Sequence, residues 1–299
     1  MSFSKIRVAV LRGGPSSKYD VSLETGAQVL SLLREMPDVY EPVDIFISKD
    51  GEWHLSGLVH EPHKALGHTD IVWNALHGSY GEDGQVQRVL EGLQIPFTGS
   101  SAVASALAMN KDMAKRLYQK HSLLTPVHEL ITEDNLNTDR LIHIFRSYLP
   151  PIIIKPTSRS GDMFLAHTFD ELKQSIKKAF IQSPRVLVEE FIKGNEINCT
   201  VIEDARGENI YALLPVSPKH QLDGVSNKEV EDMAKRAHEV LGLSHYSSSD
   251  FIITPKKKIY ILGTNSLPVL HQDSLTHHSL RATGWRPRDF VDHVLKLAM

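Results

Sequence analysis

The chain has 299 residues, of which 41% are hydrophobic and 23% charged, a composition that is ordinary for a globular protein. At roughly 100–200 residues per domain, this length predicts two or three domains. The formal net charge of -3 excludes a whole-molecule attraction to nucleic acid or to an anionic membrane. The single cysteine, Cys199, excludes an intramolecular disulfide and fits a reducing cytoplasm. No apolar run reaches the roughly 18 residues that a membrane span needs.

The first third of the chain alternates strands with helices. The apolar run "IRVAVL" predicts a buried parallel strand, and the spacing of apolar residues in "VSLETGAQVLSLLREM" predicts a helix. Two further strands follow in "VYEPVDIFIS" and "DIVWNAL", and the second of them ends in "HGSYGEDG". This alternation indicates an α/β fold with a parallel sheet, and we expect the first domain to cover residues 1–99.

The middle of the chain predicts a second domain over residues 100–195. The stretch "SSAVASALAMNKDMAKRLYQKHSL" is helical in character, with a break near Asn110, a residue type that caps helices well. The stretches "PPIIIKP" and "RVLVEEFI" predict strands, and the helix "FDELKQSIKKAFIQ" lies between them.

The third predicted domain, residues 196–299, contains a hairpin. Strands at 247–253 and 258–264 flank the turn "TPKK". Side chains two positions apart on a strand share a face. With Ile253 opposite Lys258, one face of the hairpin carries four residues: Ser248, Asp250, Gly263 and Asn265.

Several familiar active-site motifs are absent from the sequence, including the phosphate-binding loop G-x-x-x-x-G-K-[ST], H-E-x-x-H and G-x-S-x-G. What remains is a dispersed set of polar residues at strand and helix ends: Lys111, Lys155, Glu189, Glu190, Glu196, Asp250 and Asn265. A nucleotide site needs cations for phosphates, a carboxylate for ribose and oxygen ligands for Mg²⁺. The same residues also fit a blander interpretation, in which a strand lysine pairs with a carboxylate and the glutamates are surface charges.

The order of motifs resembles one family along nearly the whole chain, the D-alanine–D-alanine ligases of the ATP-grasp superfamily. The matching stretches are "VAVLRGGPSSKYDVSLETG", "ALHGSYGEDGQVQRVLEGLQIPFTGSSAVASALAMNKDMAK", "IIIKP", "VLVEEFIKGNE" and "SDFI…ILGTNSLP". The resemblance implies three α/β domains, of which the first has a Rossmann-like parallel sheet. It also implies that ATP binds between the second and third domains.

The resemblance assigns the nucleotide site to six residues: Lys111, Lys155, Glu189, Glu190, Ile192 and Glu196. The two lysines correspond to those that hold the ATP phosphates. The carbonyl of Glu190 and the N–H of Ile192 correspond to the groups that meet adenine. Glu189 and Glu196 match carboxylates near the ribose.

The resemblance also implies an amino-acid site and a metal site. His77 and Gly78 match the "HG" of the amino-acid pocket, and Ser160 and Ser274 join His77 as candidate catalytic residues. Asp250 and Asn265 match two ligands of the metal. The family reaction phosphorylates the carboxylate of one D-alanine, and the amine of a second D-alanine then attacks the acyl phosphate. The dipeptide is a precursor of the bacterial cell wall, and a homodimer and a cytoplasmic location are family expectations.

Three departures from the family pattern concern charge. Lys18 stands where the family has an acidic residue for the ammonium of the first substrate. Ser248 replaces an arginine that stabilises charge on the transferred phosphoryl group. Gly263 replaces a glutamate that bridges metal ions, so the sequence predicts one Mg²⁺ ion rather than two.

Three further departures concern loops. A family serine aligns with Gly161, although Ser158 and Ser160 stand close by. Val269 occupies a position where the family has glycine. The loop that closes over the family site is shortened to "SPKHQLDGVSN", in which Lys219 is the remaining cation.

Two functions follow from these patterns. The first is an ATP-dependent carboxylate–amine ligase like the D-alanine–D-alanine ligases, acting on D-alanine or another amino acid. The alternative is a relative that binds ATP but has little or no turnover and serves a regulatory or structural role. A third possibility is a relative in which ATP binding is also lost and only the fold remains. The departures from the family pattern motivate low turnover, because losing an oxyanion donor costs roughly 10²–10³ in rate and losing an arginine on a phosphoryl group costs about 10³–10⁵.

Overall fold

A computed structural model describes residues 5–157, 163–217 and 224–299, with side chains from residue 227 onward in the last range. The predictions on Ser158, Ser160, Gly161 and Lys219 lie outside the described residues. Within these ranges, no helix combines the length and the apolar character that crossing a bilayer requires.

The described residues form thirteen strands and ten α-helices. The strands are β1 (Ile6–Gly13), β2 (Tyr40–Ile47), β3 (Trp53–Leu55), β4 (Leu58–His60), β5 (Ile71–Asn74), β6 (His128–Thr132), β7 (Ile152–Pro156), β8 (Phe164–Ala166), β9 (Arg185–Glu190), β10 (Asn195–Ala205), β11 (Glu208–Ala212), β12 (Tyr246–Ile253) and β13 (Ile259–Asn265). The helices are α1 (Tyr19–Arg34), α2 (Pro62–Ala65), α3 (Gln85–Gly92), α4 (Ala102–Met109), α5 (Lys111–Lys120), α6 (Thr138–Ser147), α7 (Phe169–Gln182), α8 (Gly224–Val240), α9 (Leu275–Ala282) and α10 (Pro287–Ala298).

The first sheet has the order β4-β3-β2-β1-β5. The predicted parallel pairing is confirmed at its centre, where β1 lies parallel to β2 and to β5. Strands β3 and β4 extend the sheet in antiparallel pairs. The apolar run of β1 is buried because helices cover both faces: Val8 and Val10 pack with α1 and α10, while Ala9 and Leu11 pack with α2 and α3.

The second sheet, β6-β9-β7-β8, is antiparallel throughout. Helices α6 and α7 supply the apolar side chains that cover it, among them Ile144 and Ile176. The side chain of Thr168 accepts a hydrogen bond from the Glu171 N–H and caps α7. This sheet carries Lys155 at the end of β7 and Glu189 on β9.

The third sheet has the order β11-β10-β12-β13. Its core includes residues of α4, α5 and α8, so the helices that precede the second sheet in the chain pack against the third one. Helices α4 and α5 meet at Asn110, whose side chain accepts the N–H of Met113, which confirms the predicted break. The chain thus has a sheet within each predicted domain, and the domain limits themselves stay a prediction.

The predicted hairpin exists as β12 and β13, but its predicted register is wrong by one residue. Ile253 lies opposite Ile259 rather than Lys258. The turn is correspondingly one residue longer, with Thr254 accepting hydrogen bonds from the backbone N–H groups of Lys257 and Lys258.

Candidate active site

Two adjoining cavities lie along the third sheet. The first has a volume of about 460 Å³ and is lined by residues of α4, α5, β7, β10, β12 and β13. The second has a volume of about 530 Å³ and is lined by the start of α1, the loop after β5 and the start of α9. Four residues line both cavities: Asn198, Asp250, Asn265 and Leu275. The two cavities are therefore neighbours that share part of their walls.

The first cavity brings together most of the residues predicted to hold phosphates and metal. Lys111 enters from the first turn of α5, and its ammonium donates to the carbonyl of Pro156 at 3.5 Å. Lys155 enters from β7, and Glu196 and Asp250 enter from β10 and β12. Lys155 and Glu196 are 41 positions apart in the sequence and belong to different sheets, yet they line the same cavity.

At the wall of this cavity, two lysines surround one buried glutamate. Oε2 of Glu189 is 3.0 Å from the ammonium of Lys155 and 3.5 Å from that of Lys115. Lys115 also donates to Oγ1 of Thr125 at 3.0 Å. Glu189 is completely buried and Lys115 is 1% exposed, so both charges are compensated inside the protein rather than by water.

The electrostatics of the cluster follow from burial and pairing. Burial alone would raise the pKa of Glu189, but the two neighbouring ammonium groups outweigh it and the pKa is lowered. Burial lowers the pKa of Lys115 to about 8, against the opposing influence of Glu189. Glu189 is therefore ionised at neutral pH, and it holds the ammonium of Lys155 in place.

Of the residues predicted to meet adenine and ribose, Glu196 lines the first cavity and the others lie outside the lining of both cavities. Glu190 ends β9, where its backbone N–H donates to the Val127 carbonyl and its side chain accepts the Val127 N–H at 2.9 Å. Ile192 is half-buried just beyond this strand. Among the described residues that line the two cavities, Glu189, Glu190 and Ile192 are absent. Of the predicted ribose carboxylates, Glu196 lines the first cavity, whereas Glu189 is committed to the lysines.

The predicted shared face of the hairpin is confirmed, whereas its role in metal binding stays a prediction. A register shift next to Asp250 places Asp250 opposite Gly263 and Ser248 opposite Asn265. Directly opposed residues of an antiparallel pair project from the same face. The shift compensates for the one-residue error in the predicted register, so the four residues share a face as expected.

This face provides part of a ligand set for Mg²⁺. Asp250 accepts the amide Nδ2 of Asn198 at 2.8 Å, and Oδ1 of Asn265 accepts the Leu267 N–H at 3.0 Å. No group of three or more His, Cys, Asp and Glu side chains in the described ranges could hold a metal ion by itself. One carboxylate and one amide oxygen fit a single Mg²⁺ shared with phosphate oxygens, because Mg²⁺ commonly binds through one or two carboxylates plus a substrate phosphate.

The second cavity contains the predicted "HG" pair. His77 is 3% exposed, and its Nε2 lies 3.0 Å from Oγ1 of Thr25. The N–H of Gly78 donates to Oε2 of Glu82 at 2.8 Å. Gly78 has a φ of 75°, and a Cβ at this position would approach Oγ of Ser16 to 2.3 Å. Glycine is therefore required for the turn that brings His77 into the cavity.

Ser274 reaches the second cavity from the N-terminus of α9. Its Oγ accepts the N–H of His277 at 3.2 Å and caps the helix. Lys18, Ser248 and Val269, three of the departures from the family pattern, line the same cavity.

Two residues of the site, Lys115 and Asn198, were not predicted from the sequence. Lys115 follows Lys111 by four positions, a spacing that places both on the same side of a helix. Asn198 lies directly opposite Asp250 in the β10–β12 pairing. The helical spacing was available from the sequence as a signal for Lys115, whereas the partner of Asp250 depends on a pairing between strands about 50 residues apart.

Family models match most of the chain. The model described as the D-ala D-ala ligase N-terminus matches residues 57–100, and the model described as the D-ala D-ala ligase C-terminus matches residues 117–222 and 214–296. Together they cover residues from all three sheets.

Curated relatives carry the same name. The D-alanine–D-alanine ligase of Geotalea uraniireducens is 31% identical over 98% of this chain and 95% of the relative. The D-alanine–D-alanine ligase B of Chromobacterium violaceum is 33% identical over 97% of this chain and 96% of the relative.

Solved structures agree in fold. The D-alanine–D-alanine ligase from Coxiella burnetii superposes with a TM-score of 0.89 over 99% of this chain and 94% of its own, at 22% identity. The Bacillus anthracis D-alanine–D-alanine ligase complexed with ATP superposes with a TM-score of 0.83 over 98% and 96%, at 27% identity. The fold is thus ATP-grasp, with a mixed α/β architecture.

The chain belongs to the D-alanine–D-alanine ligase family. It is an ATP-dependent ligase, as the resemblance of its motifs implied. The comparisons give no support to the alternative of a relative without turnover.

Proposed function

We propose that this ligase uses ATP to activate the carboxylate of one amino acid and joins it to the amine of a second, with D-alanine as the first substrate to test. The observation that carries this proposal is that the two cavities share four lining residues. The first has Lys111 and Lys155 for phosphates, the second has His77 and Ser274 for amino acids, and Asp250 lines both.

The nucleotide is held mainly by charges that are positioned before it binds. Glu189 fixes the ammonium of Lys155 at 3.0 Å, and Lys115 supports Glu189 from behind. The site therefore needs little rearrangement when phosphates arrive, which is the condition under which fixed charges stabilise a transition state most. Glu196 serves the ribose, and the backbone at Glu190 and Ile192 serves adenine.

Asp250 and the amide oxygen of Asn265 would hold a single Mg²⁺ ion together with the phosphates. When bound, this ion supplies neutralisation of the phosphate charge. The residues of the chain then have two tasks, which are to hold the γ-phosphoryl group near the first carboxylate and to exclude water from the acyl phosphate.

The reaction proceeds in two displacements. A carboxylate oxygen attacks the γ-phosphorus, and the bond between that phosphorus and the ADP oxygen breaks. The amine of the second amino acid attacks the acyl carbon, the carbon–oxygen bond to phosphate breaks, and the amine releases a proton. Ser274 and the N-terminus of α9 bind the carboxylate of the second amino acid, since helix N-termini attract anions. His77, held by Thr25, orients the first substrate.

The test is ADP release with ATP, Mg²⁺ and D-alanine, together with detection of the dipeptide by mass spectrometry. Lys111→Met should raise the KM for ATP by about 10-fold or more, because a hydrogen bond to a charged group is worth about 1.5–3 kcal/mol. Lys120→Met, at the exposed end of the same helix, should leave the KM unchanged. Absence of ADP formation with any amino acid would refute the proposal.

Three further expectations, on domain limits, cellular location and assembly, belong to the same proposal. We divide the chain into units at residues 1–99, 100–195 and 196–299, to be tested by limited proteolysis. We place the reaction in the cytoplasm, where ATP is available, and we expect a homodimer, to be tested by light scattering in solution.

A further inference from the structure

The walls of the second cavity come from two different sheets. His77, Gly78 and Glu82 lie in the loop after β5 of the first sheet, whereas Ser248 and Asp250 belong to β12 of the third sheet. The described residues that line the first cavity include none from the first sheet. The shape of the second cavity therefore depends on how the first sheet is held against the third.

A hydrogen-bonded joint connects these two sheets. The Gly99 N–H donates to Nδ1 of His245 at 3.0 Å, and the Ser244 N–H donates to Oγ of Ser100 at 3.0 Å. Three consecutive residues on each side thus form the joint, since a side-chain hydrogen bond also links the remaining pair. The pairs are Thr98 with Tyr246, Gly99 with His245 and Ser100 with Ser244.

Both sides of the joint lead directly into the wall of the second cavity. Oγ1 of Thr98 accepts the N–H of Asn74, the last residue of β5, at 3.2 Å. His77 follows Asn74 by three positions, and Ser248 follows His245 by three positions. A displacement at the joint would therefore move the amino-acid side of the site.

His245 is the member of the joint with an unfavourable backbone conformation. Its φ is 65°, in the left-handed region that glycine adopts at lower cost. Its N–H donates to Oε2 of Glu203 at 2.6 Å, and Oε1 of the same carboxylate lies 3.2 Å from Nε2 of His238. The bonds to Gly99 and Glu203 together hold His245 in this conformation.

The bond from Gly99 requires a neutral His245, because Nδ1 accepts it and a charged imidazole has N–H groups on both nitrogens. Burial lowers the pKa of His245 below its ordinary value; Glu203 opposes this effect and His238 adds to it. His293 also faces this group, with its Nε2 2.8 Å from the Glu203 carbonyl. The joint is therefore intact at neutral pH, and it weakens only as the pH falls below the ordinary histidine pKa of about 6.5.

We propose that His245 is a positioning residue for amino-acid binding: its neutral imidazole holds the loop after β5 against β12, and protonation of the imidazole releases this hold. This inference rests on the proposed function, in which the second cavity binds the amino acids and the first cavity binds ATP. Loss of the joint therefore raises the KM for the amino acid and leaves the KM for ATP unchanged.

The experiment measures ADP release with ATP, Mg²⁺ and D-alanine at about pH 7.5 and about pH 5, on either side of the ordinary histidine pKa. His245→Gly removes the imidazole and suits the left-handed backbone. At neutral pH its KM for D-alanine should exceed that of the wild type by about 10-fold, which equals about 1.4 kcal/mol.

His245→Asn separates the hydrogen bond from the titration. Its Oδ1 replaces Nδ1 as the acceptor and does not protonate in this range. At the lower pH its KM for D-alanine should therefore stay low, whereas that of the wild type should rise toward the value of His245→Gly. His63→Asn, at an exposed histidine of α2, should follow the wild type at both pH values.

The outcomes separate this inference from the proposed function. A wild-type KM for D-alanine in His245→Gly, an equal rise in the KM for ATP, or a wild-type pH dependence in His245→Asn overturns the inference and leaves the ligase function standing. If His245→Gly does not fold, the comparison of His245→Asn with the wild type decides.

If no amino acid yields ADP, the proposed function fails, and hydrogen exchange of the Gly99 amide, measured by NMR and corrected for the intrinsic effect of pH, decides on the joint. Protection that is lost in the wild type at the lower pH but kept in His245→Asn supports the joint. Protection that does not differ between the two proteins overturns it.

Discussion

Replacing Gly263 by glutamate should create a second carboxylate opposite Asp250. The two residues face each other across β12 and β13, where opposed Cβ atoms are about 4.5–5.5 Å apart. An added Cβ at Gly263 meets no atom within 4 Å, so a side chain can start from this position without a clash. At about 5 Å and an effective dielectric constant of about 20, two like unit charges repel by about 3 kcal/mol.

The repulsion sets the sign of two measurements. Without divalent metal, Gly263→Glu should melt several degrees below the wild type, because each kcal/mol lost lowers the melting temperature by about 2–4 °C. With Mg²⁺ and ADP the same pair of carboxylates should bind the ion about 100-fold more tightly, since even indirect support of a metal ligand is worth about 10–100-fold. The assays are thermal unfolding in a chelator and in Mg²⁺, and calorimetric titration of Mg²⁺ into the ADP complex.

Gly263→Gln is the matched control, because it has the same size without the charge. It should show neither the loss of stability in chelator nor the gain in Mg²⁺ affinity. A folded Gly263→Glu protein whose Mg²⁺ affinity equals that of the wild type would refute the assignment of this hairpin face as the metal site.

The other predictions concern buried charges and backbone conformation. Glu189→Gln leaves the buried ammonium of Lys115 and the half-buried ammonium of Lys155 without this carboxylate, and it should cost about 3–5 kcal/mol in urea unfolding. Glu190→Gln, at a more exposed position, should cost about 1 kcal/mol. Equal costs would contradict the pairing of Glu189 with the two lysines. The pKa of Lys115 is lowered from 10.5 to about 8 in the folded protein, so the unfolded chain binds more protons between these values and stability should rise with pH across them, by at most about 3 kcal/mol. Lys115→Met should remove that rise, and an unchanged pH profile would show that the folded-state pKa is ordinary. Gly78→Ala should lower the free energy of unfolding by at least about 1–2 kcal/mol, because Gly78 has a left-handed backbone. Gly263→Ala should raise it by about 0.4–1 kcal/mol, because this position is outside the left-handed region and has open space for a Cβ. Similar effects at both positions would contradict this distinction.

Much of the site was predictable because its signals are local. Lys111 follows a helix-capping asparagine, and Lys155 ends an apolar strand. On the hairpin, the alternation of side chains along each strand was enough to group Asp250 with Ser248 and Asn265 with Gly263. These inferences need only the periods of a helix and a strand, which the sequence carries by itself.

The role of Glu189 could not be predicted in the same way. The family resemblance implied a carboxylate near the ribose, yet the structure buries Glu189 between Lys155 and Lys115. Whether a glutamate on a strand points to solvent, to a ligand or to a lysine depends on what the neighbouring elements place against it. In this protein that neighbour is α5, which packs on a different sheet.

The sequence by itself determined the family, the alternation of strands and helices, and the residue types available for phosphates and metal. Only the tertiary structure decided which of these residues meet. The register shift beside Asp250 brings it opposite Gly263, and the packing of Lys18 near the Gly78 turn brings a cation to the second cavity. Periodicity along a chain specifies the faces of each element, whereas register and contact depend on the packing of residues that are distant in the sequence.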